Sequence, residues 1–325
     1  MKAMIASIVL AMFFGLPALA QPTESTGTPV KMTTYTYATN DGQALELDIY
    51  VDETAPVTGK RPVMIFSYGG AWENGRKEDG KAFSEAFARE GFVAVSINYR
   101  LGIRKLREQG TQVGQNNFAS AYSNAIRMGV EDLFDATRFV LDRAATLDID
   151  PSKVLICGSS AGAINSMTAE YFICTDHPIA TSRLPQGFNY AGVISCAGGV
   201  WVAETTELDW KKTPCPVLAF HGTKDQLVPF GKSVMGGGDF GAFGPDYFIP
   251  QLQALQVPCI KHVFNGADHI IAMSYNNVPA RHEMFGFIDR IFAGDKISVV
   301  STETYYDKAP TLQDLYRAAA QQQRQ

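Results

Sequence analysis

Nothing in the 325-residue sequence forms a block of like charge: 28 Lys and Arg stand against 33 Asp and Glu, for a net charge of −5. That even spread argues against a nucleic-acid partner and against docking on an anionic membrane, which leaves small or neutral partners. Cysteine is sparse, with five residues and no Cys-x-x-Cys pair. The five histidines (His177, His221, His262, His269, His282) lack the His-Glu-x-x-His spacing of a zinc site, so neither a metal nor a cofactor is expected. Internal repeats are absent as well. With 46% hydrophobic and 19% charged residues, the chain falls outside the disordered and fibrous classes and is expected to form one large packed domain.

Long apolar runs are missing except at the start, where Lys2 precedes Met4 to Leu16, followed by Pro17 and Ala18-Leu19-Ala20. A charged end, a short apolar stretch and a small-residue site are what the secretion machinery handles, and the run falls short of the roughly 20 residues that span a bilayer. The expectation is a signal peptide over residues 1–20, export to the periplasm or outside the cell, and no membrane association after cleavage. Position 21 is Gln where a bacterial lipid anchor needs Cys. A polar leader over 21–32 then leads into a main domain over 33–294, with a C-terminal extension over 295–325 that reads as a surface helix or a tail. Cys215 and Cys259 each adjoin a proline at the start of an apolar run. They become neighbours if those runs are adjacent parallel strands, which leaves a disulfide and a pair of buried thiols both open; Cys157 and Cys196 read as buried small residues.

Two periodicities alternate along the main domain. Thr33 to Tyr37 and Leu45 to Tyr50 alternate like half-wet strands around Asn40-Asp41-Gly42, a strong hairpin signal. Nearly unbroken apolar runs follow at Val63 to Ser67, Phe92 to Ile97, Val154 to Cys157, Ala191 to Ser195, Val217 to Phe220 and Ile260 to Phe264. Such runs suit parallel strands covered on both faces. Helical patterns fall between them, over 79–89, 131–145, 161–172, 250–255 and 278–292. The class is therefore α/β, with a mostly parallel central sheet of about eight strands and helices on both faces. Residues 101–129 and 229–249 read as long connections at the carboxyl ends of strands, where ligands bind in such sheets. The Met235 to Gly238 run in the second reads as a flexible loop rather than a phosphate cradle.

The chemistry concentrates at strand ends. Gly158-Ser159-Ser160-Ala161-Gly162 lies between a buried strand and a helical pattern, the setting of a Gly-x-Ser-x-Gly nucleophile elbow. A serine hydroxyl is a weak nucleophile at neutral pH and needs a base, with a third group to orient that base. Asp225 follows the pattern Val217 to Phe220 and His269 the pattern Ile260 to Phe264, in the order such a set requires. Asp268 competes for the role of the acid but adjoins the histidine itself, and His221 fits a bracing role better than that of the base. Backbone donors for a developing oxyanion are expected from Gly70 or Ala71, in the loop Tyr68-Gly69-Gly70-Ala71-Trp72, and from Ala161. Tyr68 and Trp72 are candidates for substrate contact, with packing an equal alternative for Trp72.

Together these segments resemble the α/β-hydrolase fold, and within it the carboxylesterase-like esterases and lipases with a His-Gly-Gly-Gly-Trp type loop. The resemblance rests on Leu47-Asp48-Ile49-Tyr50, the Tyr68 to Trp72 loop, Ser96-Ile97-Asn98-Tyr99-Arg100-Leu101, Ile149-Asp150-Pro151-Ser152, the elbow, His221-Gly222-Thr223-Lys224-Asp225 and Gly266-Ala267-Asp268-His269. It implies a catalytic set of Ser160, Asp225 and His269 and no cofactor. The chain departs from the motif with Tyr68 in place of His and Ala71 in place of the third Gly. The Gly-Gly-x-Trp form also resembles aryl formamidases, and exported bacterial relatives include acetyl-xylan and feruloyl esterases. The expected activity is hydrolysis of short-chain acyl esters, small or carbohydrate-linked, by a serine mechanism. Amide or formamide hydrolysis and a non-catalytic binding protein on the same fold are the alternatives.

Overall fold

The computed structural model describes residues 29–203, 205–235, 240–304 and 311–314. The expected signal peptide, most of the leader, the Gly236 to Gly238 run and the glutamine-rich finish lie outside the described residues. The chain runs through β1 (Lys31–Asn40), β2 (Gln43–Val51), β3 (Arg61–Ser67), α1 (Lys81–Arg89), β4 (Val93–Ile97), α2 (Gly102–Glu108), α3 (Phe118–Leu141), β5 (Ile149–Ser159) and α4 (Ala161–Cys174). It continues through α5 (Pro178–Arg183), β6 (Gly192–Cys196), β7 (Val200–Ala203), β8 (Val217–Gly222), β9 (Lys232–Met235), β10 (Phe240–Phe243), α6 (Pro245–Ala254), β11 (Cys259–Asn265), α7 (Val278–Phe292) and β12 (Ser298–Thr304).

The β1–β2 hairpin turns through Asp41 and Gly42, both at positive φ (52° and 76°), as a two-residue turn between twisted strands requires. The main sheet has nine strands in the order β1-β2-β4-β3-β5-β6-β8-β11-β12. From β4 to β12 every neighbouring pair is parallel. Val63, Met64, Ile65 and Phe66 on β3 are all fully buried. Successive side chains of a strand point to opposite faces, so both faces of the sheet are covered there. Chain order reverses at β3, which has β4 on one side and β5 on the other. Loops leaving the carboxyl ends of β3 and β5 therefore share the crevice at a switch point of the sheet.

Three expectations change. The stretch 101–129 is largely helical, because α2 and the first half of α3 occupy it. Two of its glycines are where helices touch: a Cβ on Gly102 would sit 2.8 Å from the Ala125 Cα, and one on Gly129 would sit 2.5 Å from Asn165 Nδ2. The stretch 229–249 holds β9 and β10, which join β7 in a second, three-stranded sheet. Helix α6 begins at Pro245, and Pro250 lies inside it. The extension after 294 adds β12 as a ninth strand, parallel to β11, because Ile297 reaches back to accept the Cys259 N–H at 2.7 Å. Of the two readings open for Cys215 and Cys259, the structure has the buried thiols, since all five cysteines are free and buried. Although β8 and β11 are neighbours, Cys215 precedes β8 and its N–H donates to Glu170 Oε1 at 2.7 Å.

Candidate active site

Strand β5 ends at Ser159 and α4 begins at Ala161, so Ser160 alone carries the reversal, at φ 50° and ψ −118°. A non-glycine residue in that region costs on the order of 1–3 kcal/mol and persists only where its surroundings hold it. Two glycines make the bend possible. A Cβ on Gly158 would lie 2.2 Å from the Gly162 carbonyl oxygen, and one on Gly162 would lie 2.1 Å from the Ser67 carbonyl oxygen. The Ser160 N–H donates to the Cys196 carbonyl at 2.9 Å, which ties the bend to β6. The hydroxyl stands at the amino end of α4, where helix N–H groups favour developing negative charge.

His269 and Asp225 arrive from the ends of β11 and β8, adjacent strands on the far side of β6. His269 Nε2 lies 2.8 Å from Ser160 Oγ, and its Nδ1 lies 2.6 Å from Asp225 Oδ2. The other carboxylate oxygen, Oδ1, accepts the N–H groups of Leu227 and Val228, both at 2.9 Å. Burial alone would raise the Asp225 pKa. The hydrogen bond and charge of His269, the nearby His221 and the Val228 N–H outweigh it and hold the carboxyl below its ordinary range. Asp268 faces elsewhere, accepting the Ile270 N–H at 2.9 Å as the cap of the helical turn His269–Asn276.

His221 braces the acid. It is 1% exposed, its Nε2 sits 3.0 Å from the Val228 carbonyl oxygen and 3.4 Å from Asp225 Oδ2, and burial lowers its pKa to about 4. An unfolded chain binds a proton at His221 below about 6.5, whereas the native state resists until about 4. Stability from this group is therefore complete above about pH 6.5 and declines as pH falls from there toward 4. The melting temperature of the parent protein should drop more steeply between pH 7 and 4 than that of His221→Gln, which keeps an N–H donor for Val228. Parallel curves would show that His221 does not titrate as described.

The loop after β3 packs directly on the elbow. A Cβ on Gly69 would lie 3.1 Å from the Ser160 Cβ, and one on Gly70 would lie 2.3 Å from the Asn74 carbonyl oxygen. Among the described residues, no group accepts the N–H of Gly70, Ala71 or Ala161, so these amides are available to a ligand. Tyr68 and Trp72 are each 2% exposed, and both work inside the protein. Tyr68 stacks on Tyr99 with centroids 4.4 Å apart, and the Trp72 indole N–H donates to Asn165 Oδ1 at 2.9 Å. The expectation that they contact substrate directly therefore gives way to packing. Sequence patterns missed two supports of the site: Asn165, and Ser159, whose hydroxyl donates to the Ala272 carbonyl at 2.8 Å and anchors the turn that begins with His269.

Among the described residues, no group of three or more His, Cys, Asp and Glu side chains is placed to hold a metal ion, and no helix is long and apolar enough to cross a membrane. The BD-FAE family model matches residues 47–172, from β2 through the elbow and into α4. A thermophilic esterase from the Planctomycetes species Thermogutta terrifontis superposes with a TM-score of 0.55 at 22% identity, over 84% of this chain and 94% of that one. The chain has the α/β-hydrolase fold. Among curated relatives, the chain is 32% identical over 108 residues to mouse neuroligin-2, covering 33% of this chain and 11% of the relative. It is 27% identical over 165 residues to phenmedipham hydrolase of Pseudarthrobacter oxydans, covering 50% of this chain and 29% of the relative. The chain thus spans less than a third of the length of these relatives.

Proposed function

We propose that the chain is a serine carboxylic-ester hydrolase acting on short-chain acyl esters through an acyl-enzyme, with small or carbohydrate-linked esters such as acylated plant polysaccharide as its substrate class. The observation that carries this is the unbroken relay from Ser160 Oγ through His269 to Asp225, at 2.8 and 2.6 Å. Ser160 attacks the ester carbonyl while His269 takes its proton at Nε2, and Asp225 steadies the imidazolium through Nδ1. The carbonyl oxygen, as it becomes negative, meets the amides of Gly70 or Ala71 and Ala161. His269 returns the proton to the leaving alcohol, then activates the water that hydrolyses the acyl-enzyme. The export expected from the first 20 residues would place this chemistry outside the cytoplasm.

A short acyl group is favoured because aromatic rings fill the space behind the donor loop. Trp72 lies against Tyr122 (centroids 5.7 Å apart) and Trp201 (6.3 Å apart). Structures of the Thermogutta terrifontis esterase include propionate-bound and butyrate-bound forms, which agrees with a site for small acyl groups in the same fold. Hydrolysis of p-nitrophenyl acetate, butyrate and octanoate, beside methyl ferulate and N-formylkynurenine, tests the assignment. Acetate or butyrate should be turned over fastest. Formamide turnover tenfold above every ester would make the chain an amide hydrolase, and no turnover of any of them would favour a binding role.

A further inference from the structure

The loop that carries the proposed amide donors is strained, and its support comes from two sides. Gly70, Ala71 and Trp72 are three consecutive residues at positive φ (125°, 55° and 55°). Within the loop, Glu73 and Asn74 both donate their N–H to the Gly70 carbonyl at 3.0 Å. Outside it, the Trp72 carbonyl accepts the N–H groups of Ile103 and Arg104 at 3.1 and 3.2 Å, which fastens the backbone to the start of α2. The Trp72 side chain reaches instead to α4, the helix that Ser160 begins, and donates its indole N–H to Asn165 Oδ1 at 2.9 Å.

Asn165 is fully buried, and its orientation is decided by its partner, because an indole nitrogen can only donate. The oxygen must face Trp72, and Nδ2 is left with no hydrogen-bond partner among the described residues. A buried unpaired donor is unfavourable, and an apolar residue of similar size would avoid it. Gly129 on α3 makes room for this side chain, since a Cβ there would strike it. The polar side chain thus serves a single bond to the residue that follows Ala71.

We infer that Asn165 is a positioning residue. Through the Trp72 indole it sets the distance between the amides of Gly70 and Ala71 and the hydroxyl of Ser160, on one rigid body with α4. The inference rests on the ester hydrolysis proposed above, because the amides matter only if charge develops beside them.

The test uses the full chain with p-nitrophenyl butyrate. Asn165→Leu and Trp72→Phe should each lower kcat about tenfold to a hundredfold, the loss that goes with a misplacement of about 1 Å, while KM moves less than about threefold. Both should weaken a trifluoromethyl ketone, whose adduct with serine places an oxyanion in the same spot, by the same factor as kcat/KM. The double variant should lose about as much as either single one, because the two side chains form one bond. Asn165→Asp, which keeps the acceptor, should retain most activity. A fall in melting temperature with kcat and inhibitor affinity unmoved, or losses that multiply in the double variant, would overturn the inference. If Asn165→Leu does not fold, Trp72→Phe and Asn165→Asp decide the matter. Failure of the ester reading itself looks different, since wild type would then be inactive or no better than Ser160→Ala.

Discussion

Ser160→Ala is expected to lower kcat for p-nitrophenyl butyrate by about 10⁶-fold, the scale seen when the nucleophile of a serine hydrolase is removed. The substitution deletes one oxygen and leaves the Cβ in place. Alanine therefore occupies the same φ of 50° with the same crowding, and the melting temperature should hardly change. Residual activity comes only from the amides of Gly70, Ala71 and Ala161, which still polarise the carbonyl while water attacks. Stopped-flow release of p-nitrophenol adds a second readout, because the parent shows a burst wherever deacylation is slower than acylation and the variant shows none. A variant that kept more than about a hundredth of the parent rate would remove Ser160 from the reaction, since the loss expected of a nucleophile is several orders larger.

Asp225→Asn should cost about 10⁴-fold in kcat, the penalty for presenting the base in the wrong tautomer. The geometry says why. Oδ1 of Asp225 accepts two backbone N–H groups, from Leu227 and Val228. An asparagine must place its only oxygen there, so its NH₂ faces His269 Nδ1. The imidazole then accepts at Nδ1 and carries its proton on Nε2, the atom 2.8 Å from Ser160 Oγ, where it cannot take another. Asp268→Asn keeps an oxygen for the Ile270 N–H and should change kcat by only a few-fold. The paired comparison at matched pH is the measurement, and the reverse order would make Asp268 the acid.

Much of this site was legible because its members are defined by local context. Ser160 sits in a pentapeptide of small residues directly after a buried apolar run, and Asp225 and His269 each follow such a run within a few positions. A parallel sheet sends all of those strand ends to one edge, so order along the chain is enough to nominate them. The helices over 101–129 were illegible for the opposite reason. Gly102 and Gly129 break a helical pattern when read singly, and only the opposing helix shows that each is a point of close approach. Trp72 and Tyr68 belong beside the donor loop by sequence, but which way they turn depends on Asn165 and Tyr99, some 93 and 31 positions further along.

By itself the sequence determined the alternation of elements, the hairpin at Asn40 to Gly42, the bend at Ser160 and the order of its partners, all of which follow from backbone preferences and periodicity over short spans. Tertiary structure alone decided that β12 completes the sheet, that β7, β9 and β10 form a second one, that the cysteines stay free, and that Asn165 meets the donor loop. Those outcomes depend on which distant atoms share a volume, and no local propensity encodes that.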